Sequence, residues 1–492
     1  MFDCSLLRVI LAHVPDLVFI LLPFFPTMLS APVRRTVAGM RLASARAVHT
    51  SSAAAAAVSN DEVAALRAKY MAPTYARFQT PLHPPNMDRA FMQHMFDADG
   101  RKYLDCLANN LTISVGHCHP AVSAAAAEQA TKVQHVSSMY HSAPASLLAR
   151  DLADLMPETP SGKGGWRTYF SVSGTDAVAV AVTLARAHAG TNLLASVQNA
   201  YHGSHGLGMG ASGIAACSHD FPEAQGVIHL PLPGANANEE TMYDDTRALL
   251  ASTVDAVGGG RVAGTILEPL QGYGGIIPLP PKFAQGLAEE TRARGGLVIS
   301  DEIQTGLGRC GNQWAFEQLG VVPDIVVIAK GIGNGFPIAA CIATDEVWES
   351  FDKTGRFLFD TYGGNPVCAA AGRAVLKTLR EENFTQHCSD MGALFSKKVH
   401  AEIARLEAAD DAPDRIVSEV RGAGLMWGVE IADPAFAFRV YCRMHEFGVL
   451  VGLGGKNKNV LRFMPPMCVQ PEDVDTFIDA FGKSVVVEHA SA

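Results

Sequence analysis

The ten cysteines of this 492-residue chain lie far apart, and no two of them form a CxxC pair. A chain this long needs no disulfide framework to hold its core, so a reducing compartment is the simpler setting. The body also lacks a basic stripe or a cluster of lysine and arginine, and the net charge is −10, which argues against a nucleic-acid partner. The apolar run Leu17 to Phe25 is too short to span a bilayer, where roughly 20 residues are needed, and no membrane partner is expected. No internal repeat of solenoid period is visible. What is present, 48% hydrophobic and 18% charged residues with 45 Gly and 27 Pro, suits a soluble α/β protein with many tight turns and at least two lobes.

The first sixty residues read in two parts. Asp3 and Asp16 precede the Leu17 to Phe25 run with only Arg8 for positive charge, which makes a poor signal peptide. From Met28 onward Arg34, Arg35, Arg41 and Arg46 are interleaved with Ala, Ser, Val and Leu, and no acid appears until Asp61. That is the composition of a mitochondrial transit peptide, whose helix sets arginines opposite an apolar stripe. The expectation is a matrix protein, with residues 1–60 as the targeting segment, a mature start near Ser51 to Ser59, and Met28 as an alternative initiator.

In the body, apolar runs alternate with helical patterns. Strands are expected at Arg167 to Val172, Val262 to Leu267, Leu297 to Ser300, Ile325 to Ala329 and Val460 to Met464. Helices are expected at Pro120 to Gln134, Asp176 to Ala189, Lys282 to Arg294 and Pro366 to Arg380, and a hairpin at Phe96 to Asp105 around Asp97-Ala98-Asp99-Gly100. Strands that alternate with crossover helices imply an α/β fold whose large lobe is a mostly parallel sheet flanked by helices. Residues 116–365 are read as that large lobe, 366–492 as a smaller α+β lobe, and 61–115 as a segment joining the small lobe, with Tyr70 to Pro85 extended.

Ligands of open α/β sheets sit beyond the carboxyl ends of the strands. Asp301 follows one such strand and Lys330 another, the latter before Gly331, Gly333 and Gly335. Burial disfavours a lysine's charge, so Lys330 belongs in an imine or in a buried ion pair with Asp301; on these two residues alone the readings are equal. Ser173-Gly174-Thr175 opens a helix and leaves N–H groups for an anion, although a plain N-cap has the same residues. Tyr201-His202-Gly203 offers an aromatic that can lie on a flat ring, and Glu268 stands at another strand end. Thr361 lies in the turn Thr361 to Pro366, and Arg462 inside an apolar strand calls for an anionic partner. His117-Cys118-His119 invites a metal, but with no second ligand cluster a tight turn before Pro120 is the simpler reading, and no metal is expected. Together the strand-end residues form a set suited to pyridoxal phosphate and an amino acid.

Asp301-Glu302-Ile303-Gln304-Thr305-Gly306, with Lys330-Gly331 starting twenty-nine positions after Asp301, resembles the signature of class III aminotransferases, which are pyridoxal-phosphate enzymes of fold type I. The resemblance runs from about Tyr70 to Val485. Phe96 to Asp105, Val115 to Pro120, Ile328 to Pro337, Arg421 to Met426 and Phe447 to Gly452 are most similar to the mitochondrial alanine–glyoxylate aminotransferase type 2 group. The resemblance implies a Schiff base at Lys330, Asp301 on the pyridine nitrogen and Gln304 on the ring 3′-oxygen. It implies Ser173, Gly174 and Thr175 at the phosphate, helped by Thr361 of a neighbouring subunit in a homodimer or homotetramer, with Tyr201 and His202 lining the cofactor. Arg462 would receive the substrate α-carboxylate, and Glu268 would pair with it when that carboxylate is placed elsewhere. The implied reaction passes an amino group from an amino acid such as alanine to an oxo acid such as glyoxylate. The alternatives are an ω-aminotransferase of 4-aminobutyrate, ornithine or a β-amino acid, and a phospho-lyase. Two segments depart from the family pattern: Asp176 stands where Glu is usual, and Leu107-Ala108-Asn109-Asn110-Leu111 replaces a Gly-rich aromatic stretch.

Overall fold

The computed structural model describes residues 58–76, 85–214, 226–234, 237–257, 259–408 and 415–490. The chain divides into one unit of Met1–Val63 and another of Ala64–Ala492. The arginine-rich start, the Leu17 to Phe25 run and the proposed mature start up to residue 57 lie outside the described residues, as do residues 77–84 of the segment read as extended. Within that segment Pro73–Ala76 is instead a 3-10 turn, because Pro73 presets the helical φ at its first position.

Strands β1 (Met87–Phe91), β2 (His94–Asp97) and β3 (Lys102–Asp105) open the larger unit as an antiparallel meander. The β2–β3 turn is the expected hairpin: Asp97 Oδ1 accepts from Asp99 N at 3.1 Å and Arg101 N at 2.8 Å. Next come β4 (Trp166–Ser171), β5 (Leu194–Val197), β6 (Val227–Leu230) and β7 (Gly264–Leu267), then the short hairpin strands β8 (Leu270–Gln271) and β9 (Ile277–Pro278). The central region ends with β10 (Leu297–Asp301), β11 (Ile325–Ile328) and β12 (Ala339–Thr344). Seven of these strands form one sheet in the order β4-β12-β11-β10-β7-β5-β6, parallel except that β12 runs against both its neighbours. Strands β5, β7, β10, β11 and β12 are buried throughout, as apolar runs covered on both faces must be.

Helix Gly174–Ala189 lies on one face of this sheet. Its Ala177, Val178, Ala181, Val182 and Ala185 pack on Ile266, Ile299 and Val327, and the small alanines let helix and sheet approach closely. Helix Pro281–Ala293 lies on the other face, with Phe283 and Leu287 against Leu267 and Val298. Sequence positions were legible here to within a few residues: Val262 and Ala263 precede β7 rather than belong to it, and the helix expected over Pro120 to Gln134 ends at Ala130.

The C-terminal region combines helices with strands β13 (Val417–Ala423), β14 (Met426–Ile431), β15 (Val449–Leu450), β16 (Gly452–Gly454) and β17 (Val460–Phe463). Four of them form the antiparallel sheet β13-β14-β17-β16, while β15 pairs with β3 of the N-terminal meander. His117 and His119 face different acids: His117 Nε2 meets Asp105 Oδ2 at 2.8 Å, and His119 Nε2 lies 3.3 Å from Glu382 Oε1. Cys118 between them has φ of 49°, which is the tight turn. Among the described residues no helix is long and apolar enough to cross a membrane.

Candidate active site

The carboxyl ends of β10 and β11 and the start of helix Gly174–Ala189 enclose a cavity of about 380 Å³. Ser173, Gly174, Thr175, Tyr201, His202, Glu268, Asp301, Gln304 and Lys330 all line it, so nine of the residues singled out in the sequence come together. Two do not. Thr361 is exposed and outside this lining, and Arg462, on β17, is outside it too, its guanidinium carbon 5.7 Å from the ring of Tyr273.

Lys330 follows β11 with φ of 47°, a left-handed backbone for a residue with a long side chain. Such a conformation costs about 1–2 kcal/mol and persists only where the surroundings impose it. Here Ser114 Oγ donates to Gly331 O at 2.6 Å, and the buried Asn334 side chain accepts from Val115 N at 3.1 Å and donates to Gly116 O at 2.9 Å. Burial brings the Lys330 amine down from 10.5 to about 8; Asp301 and Glu268 oppose that fall and Arg462 adds to it. The side chain as a whole is only half-buried, since part of its surface opens on the cavity.

Asp301 is 3% exposed, with Oδ2 at 2.7 Å from His202 Nδ1 and Oδ1 accepting from Ile303 N at 3.1 Å. Both oxygens of this buried side chain therefore have hydrogen-bond partners. His202 is thus the residue that orients Asp301, and its own backbone N–H is held by Ser212 Oγ at 2.9 Å. Glu268 accepts from Tyr201 N at 2.8 Å and from Gly272 N at 3.1 Å, one bond to each oxygen. Both oxygens therefore meet backbone amides. Burial pushes the Glu268 carboxyl up from 4.5 to about 7.

At the helix start, Ser173 Oγ accepts from Asp176 N at 3.3 Å and donates to Asp176 Oδ2 at 2.6 Å. The shorter acid at 176 therefore still closes the first turn. A Cβ added at Gly174 would lie 2.8 Å from Ile303 Cδ1, and one at Gly203, where φ is +137°, would lie 2.7 Å from Thr175 Oγ1. The glycines thus let backbone and hydroxyl crowd into a cradle of donors at a helix N-terminus. A donor-lined cradle, a buried carboxylate, a lysine and a flanking aromatic in one cavity fit the phosphate, ring nitrogen, aldehyde and ring face of pyridoxal phosphate.

Two features were missed in the sequence. Ala108, Asn109, Asn110 and Leu111 all have positive φ, between 46° and 67°, forming a left-handed turn closed by Leu111 N on Leu107 O at 3.0 Å. This is the segment that departs from the family pattern; Thr112, which follows it, lines the cavity. The second is Tyr273, whose ring centroid is 5.7 Å from the Arg462 guanidinium carbon. Its available signal was an aromatic set among glycines, Gly272-Tyr273-Gly274-Gly275, shortly after Glu268.

A family model for class-III aminotransferases matches residues 74–485. The chain belongs to the class-III aminotransferases. Pyridoxal phosphate is therefore its cofactor, as the family and the cavity require. An alanine–glyoxylate aminotransferase 2 homologue described as mitochondrial, from Arabidopsis thaliana, is 33% identical over 443 residues, covering 87% of this chain and 88% of its own length. An acetylornithine aminotransferase from Methanosarcina acetivorans is 34% identical over 421 residues, covering 85% of this chain and 95% of its own. Among solved structures, an (S)-enantioselective ω-transaminase from Thermomicrobium roseum superposes with a TM-score of 0.76 at 27% identity, covering 87% of this aminotransferase and 98% of that chain. The sheet and flanking helices are those of fold type I.

Proposed function

We propose that this aminotransferase passes the amino group of a 2-amino acid such as alanine to a 2-oxo acid such as glyoxylate, with Lys330 as the residue that bonds the cofactor. The observation carrying the reading is a lysine at the end of β11 that lines the same cavity as Asp301 and the Ser173 helix start. Bound pyridoxal phosphate supplies an electron sink for the pair left at Cα when its proton departs.

The protein's part is positioning and proton transfer. Ser173, Gly174 and Thr175 hold the phosphate at the helix N-terminus. Asp301, oriented by His202, would keep the pyridine nitrogen protonated, Gln304 would meet the ring 3′-oxygen, and Tyr201 would cover the ring. With the cofactor bound, Lys330 would be the group that takes the proton from Cα of the substrate. An amine near 8 is about one-tenth unprotonated at pH 7, which suits a general base. Arg462 receives the α-carboxylate. Glu268, with its carboxyl near 7 and its oxygens on two amides, is about half ionised at neutral pH, so it opposes that carboxylate less than a fully charged acid would. Residues 116–365 are read as the cofactor lobe and 366–492 as the smaller lobe. Thr361 is assigned to the phosphate of a neighbouring subunit in a homodimer or homotetramer; the exposed Phe357, Phe359 and Tyr362 around it support an interface there. The arginine-rich start and the mitochondrial relative support import into the matrix.

Identity to the acetylornithine enzyme supports a second reading, in which the amine lies at the far end of the donor. A donor-by-acceptor matrix on cofactor-loaded protein separates the two. Alanine with glyoxylate is expected to be the fastest pair, and preferred turnover of 4-aminobutyrate or an ornithine would reverse the assignment. Lys330→Ala is expected to lose both transamination and any borohydride-trapped cofactor; full activity in that variant refutes Lys330 as the bonding residue.

A further inference from the structure

Tyr273 sits half-buried in the turn between β8 and β9, its ring 5.7 Å from the Arg462 guanidinium and 5.8 Å from the ring of Tyr201. The backbone that carries it is fixed from several directions. Gly272 N donates to Glu268 Oε2 at 3.1 Å, and Tyr273 O accepts from Gly455 N at 3.0 Å. Arg421 Nε donates to Gly275 O at 3.0 Å and Ile276 O at 3.1 Å, while its Nη1 is held by Glu430 at 2.6 Å. The turn is therefore bolted to the C-terminal sheet on one side and to a cavity acid on the other.

A guanidinium within about 6 Å of an aromatic face is attracted to it. The ring stands beside the guanidinium and helps to keep water from it, Arg462 being 2% exposed. The opposite wall is equally close. A Cβ added at Gly452 would lie 2.8 Å from Arg462 Nη2, 2.9 Å from Nε and 2.6 Å from Leu107 Cδ1. Arg462 is thus enclosed by a ring, a glycine backbone and a leucine methyl.

We propose that Tyr273 determines substrate class. Its ring fills the space beside Arg462, so the site takes amino and oxo acids whose carboxylate is on the reacting carbon and whose side chain is short. Donors that carry the amine at the far end of a long chain are turned away by the same ring. The inference rests on Arg462 as the carboxylate receptor.

The test compares wild type, Tyr273→Phe and Tyr273→Ala, each loaded with pyridoxal phosphate and verified by its absorbance. Measured quantities are kcat/KM for alanine and for 4-aminobutyrate, and the dissociation constant of propionate, which is alanine without its amine. Tyr273→Ala is expected to weaken propionate about tenfold, raise KM for alanine more than it lowers kcat, and shift the donor ratio toward 4-aminobutyrate by tenfold or more. Tyr273→Phe, which keeps the ring, is expected to hold the ratio within about threefold of wild type. A Tyr273→Ala protein with the wild-type ratio and wild-type propionate affinity overturns the inference. Failure of the donor assignment is seen separately, in wild type alone, as turnover of 4-aminobutyrate in preference to alanine.

Discussion

Cofactor loading should follow the ionisation of Lys330, because only the unprotonated amine attacks an aldehyde. The perturbation is pH, applied to cofactor-free protein mixed with pyridoxal phosphate. An ordinary amine at 10.5 is about 0.03% free at pH 7, while one near 8 is about 9% free, a gain of roughly 300-fold in reactive species. The sign follows from burial: moving the ammonium out of water penalises the charged form, and Asp301 and Glu268 recover only part of that loss. The loading rate, read by stopped-flow absorbance and checked by borohydride trapping at Lys330, is expected to rise about tenfold per pH unit up to about 8 and then level off. Two variants fix the electrostatics. Asp301→Asn removes a charge that raises the amine, so its break moves to lower pH; Arg462→Gln removes one that lowers it, so its break moves to higher pH. A wild-type rate that keeps climbing to pH 10 without a break would refute the argument.

Gly452→Ala would bring a methyl against Arg462 and Leu107, whose side-chain ends must shift, and is expected to raise KM for the amino donor about tenfold with cofactor loading unchanged, by steady-state kinetics and titration. Glu302 accepts from Phe316 N at 2.8 Å and from the Thr305 hydroxyl, and burial raises its carboxyl from 4.5 to about 7. A carboxyl that binds its proton more tightly when folded contributes stability below pH 4.5 that is lost as pH rises toward 7. Relative to wild type, Glu302→Gln is therefore expected to melt higher at pH 8 than at pH 5 by differential scanning calorimetry, and an equal difference at both pH values contradicts it.

The parts of the fold that were legible are those where one physical signal dominates. Leu297-Val298-Ile299 and Ile325-Val326-Val327-Ile328 read as strands because burial on both faces leaves no room for alternation. The strand Ala339–Thr344 was not foreseen: three of its six residues are alanine, which favours helices, and only its pairing with β4 and β11 makes it a strand. The left-handed turn at Ala108–Leu111 was hidden for a similar reason. Asn109 and Asn110 tolerate positive φ, but Ala108 and Leu111 do not favour it, and burial to 0% and 2% exposure holds them there.

The same division runs through the site. Residues at strand ends were found because sheet topology alone delivers them to one edge. Tyr273 and the Gly452 wall escaped because their roles exist only across elements distant in sequence, the β8–β9 turn meeting β16 and β17 over one guanidinium. Strain shows why the distant parts matter. Lys330 occupies a backbone region that a lysine avoids, and what keeps it there is a hydroxyl at Ser114 and an amide at Asn334, bonded across more than two hundred residues of chain. The lysine is aimed by the segment that enters from the N-terminal meander, and that segment also carries the left-handed turn and Leu107 beside Arg462. A single stretch, residues 107–116, thus runs from Leu107, which shares the Gly452 wall with Arg462, to the bonds that hold the backbone on either side of Lys330.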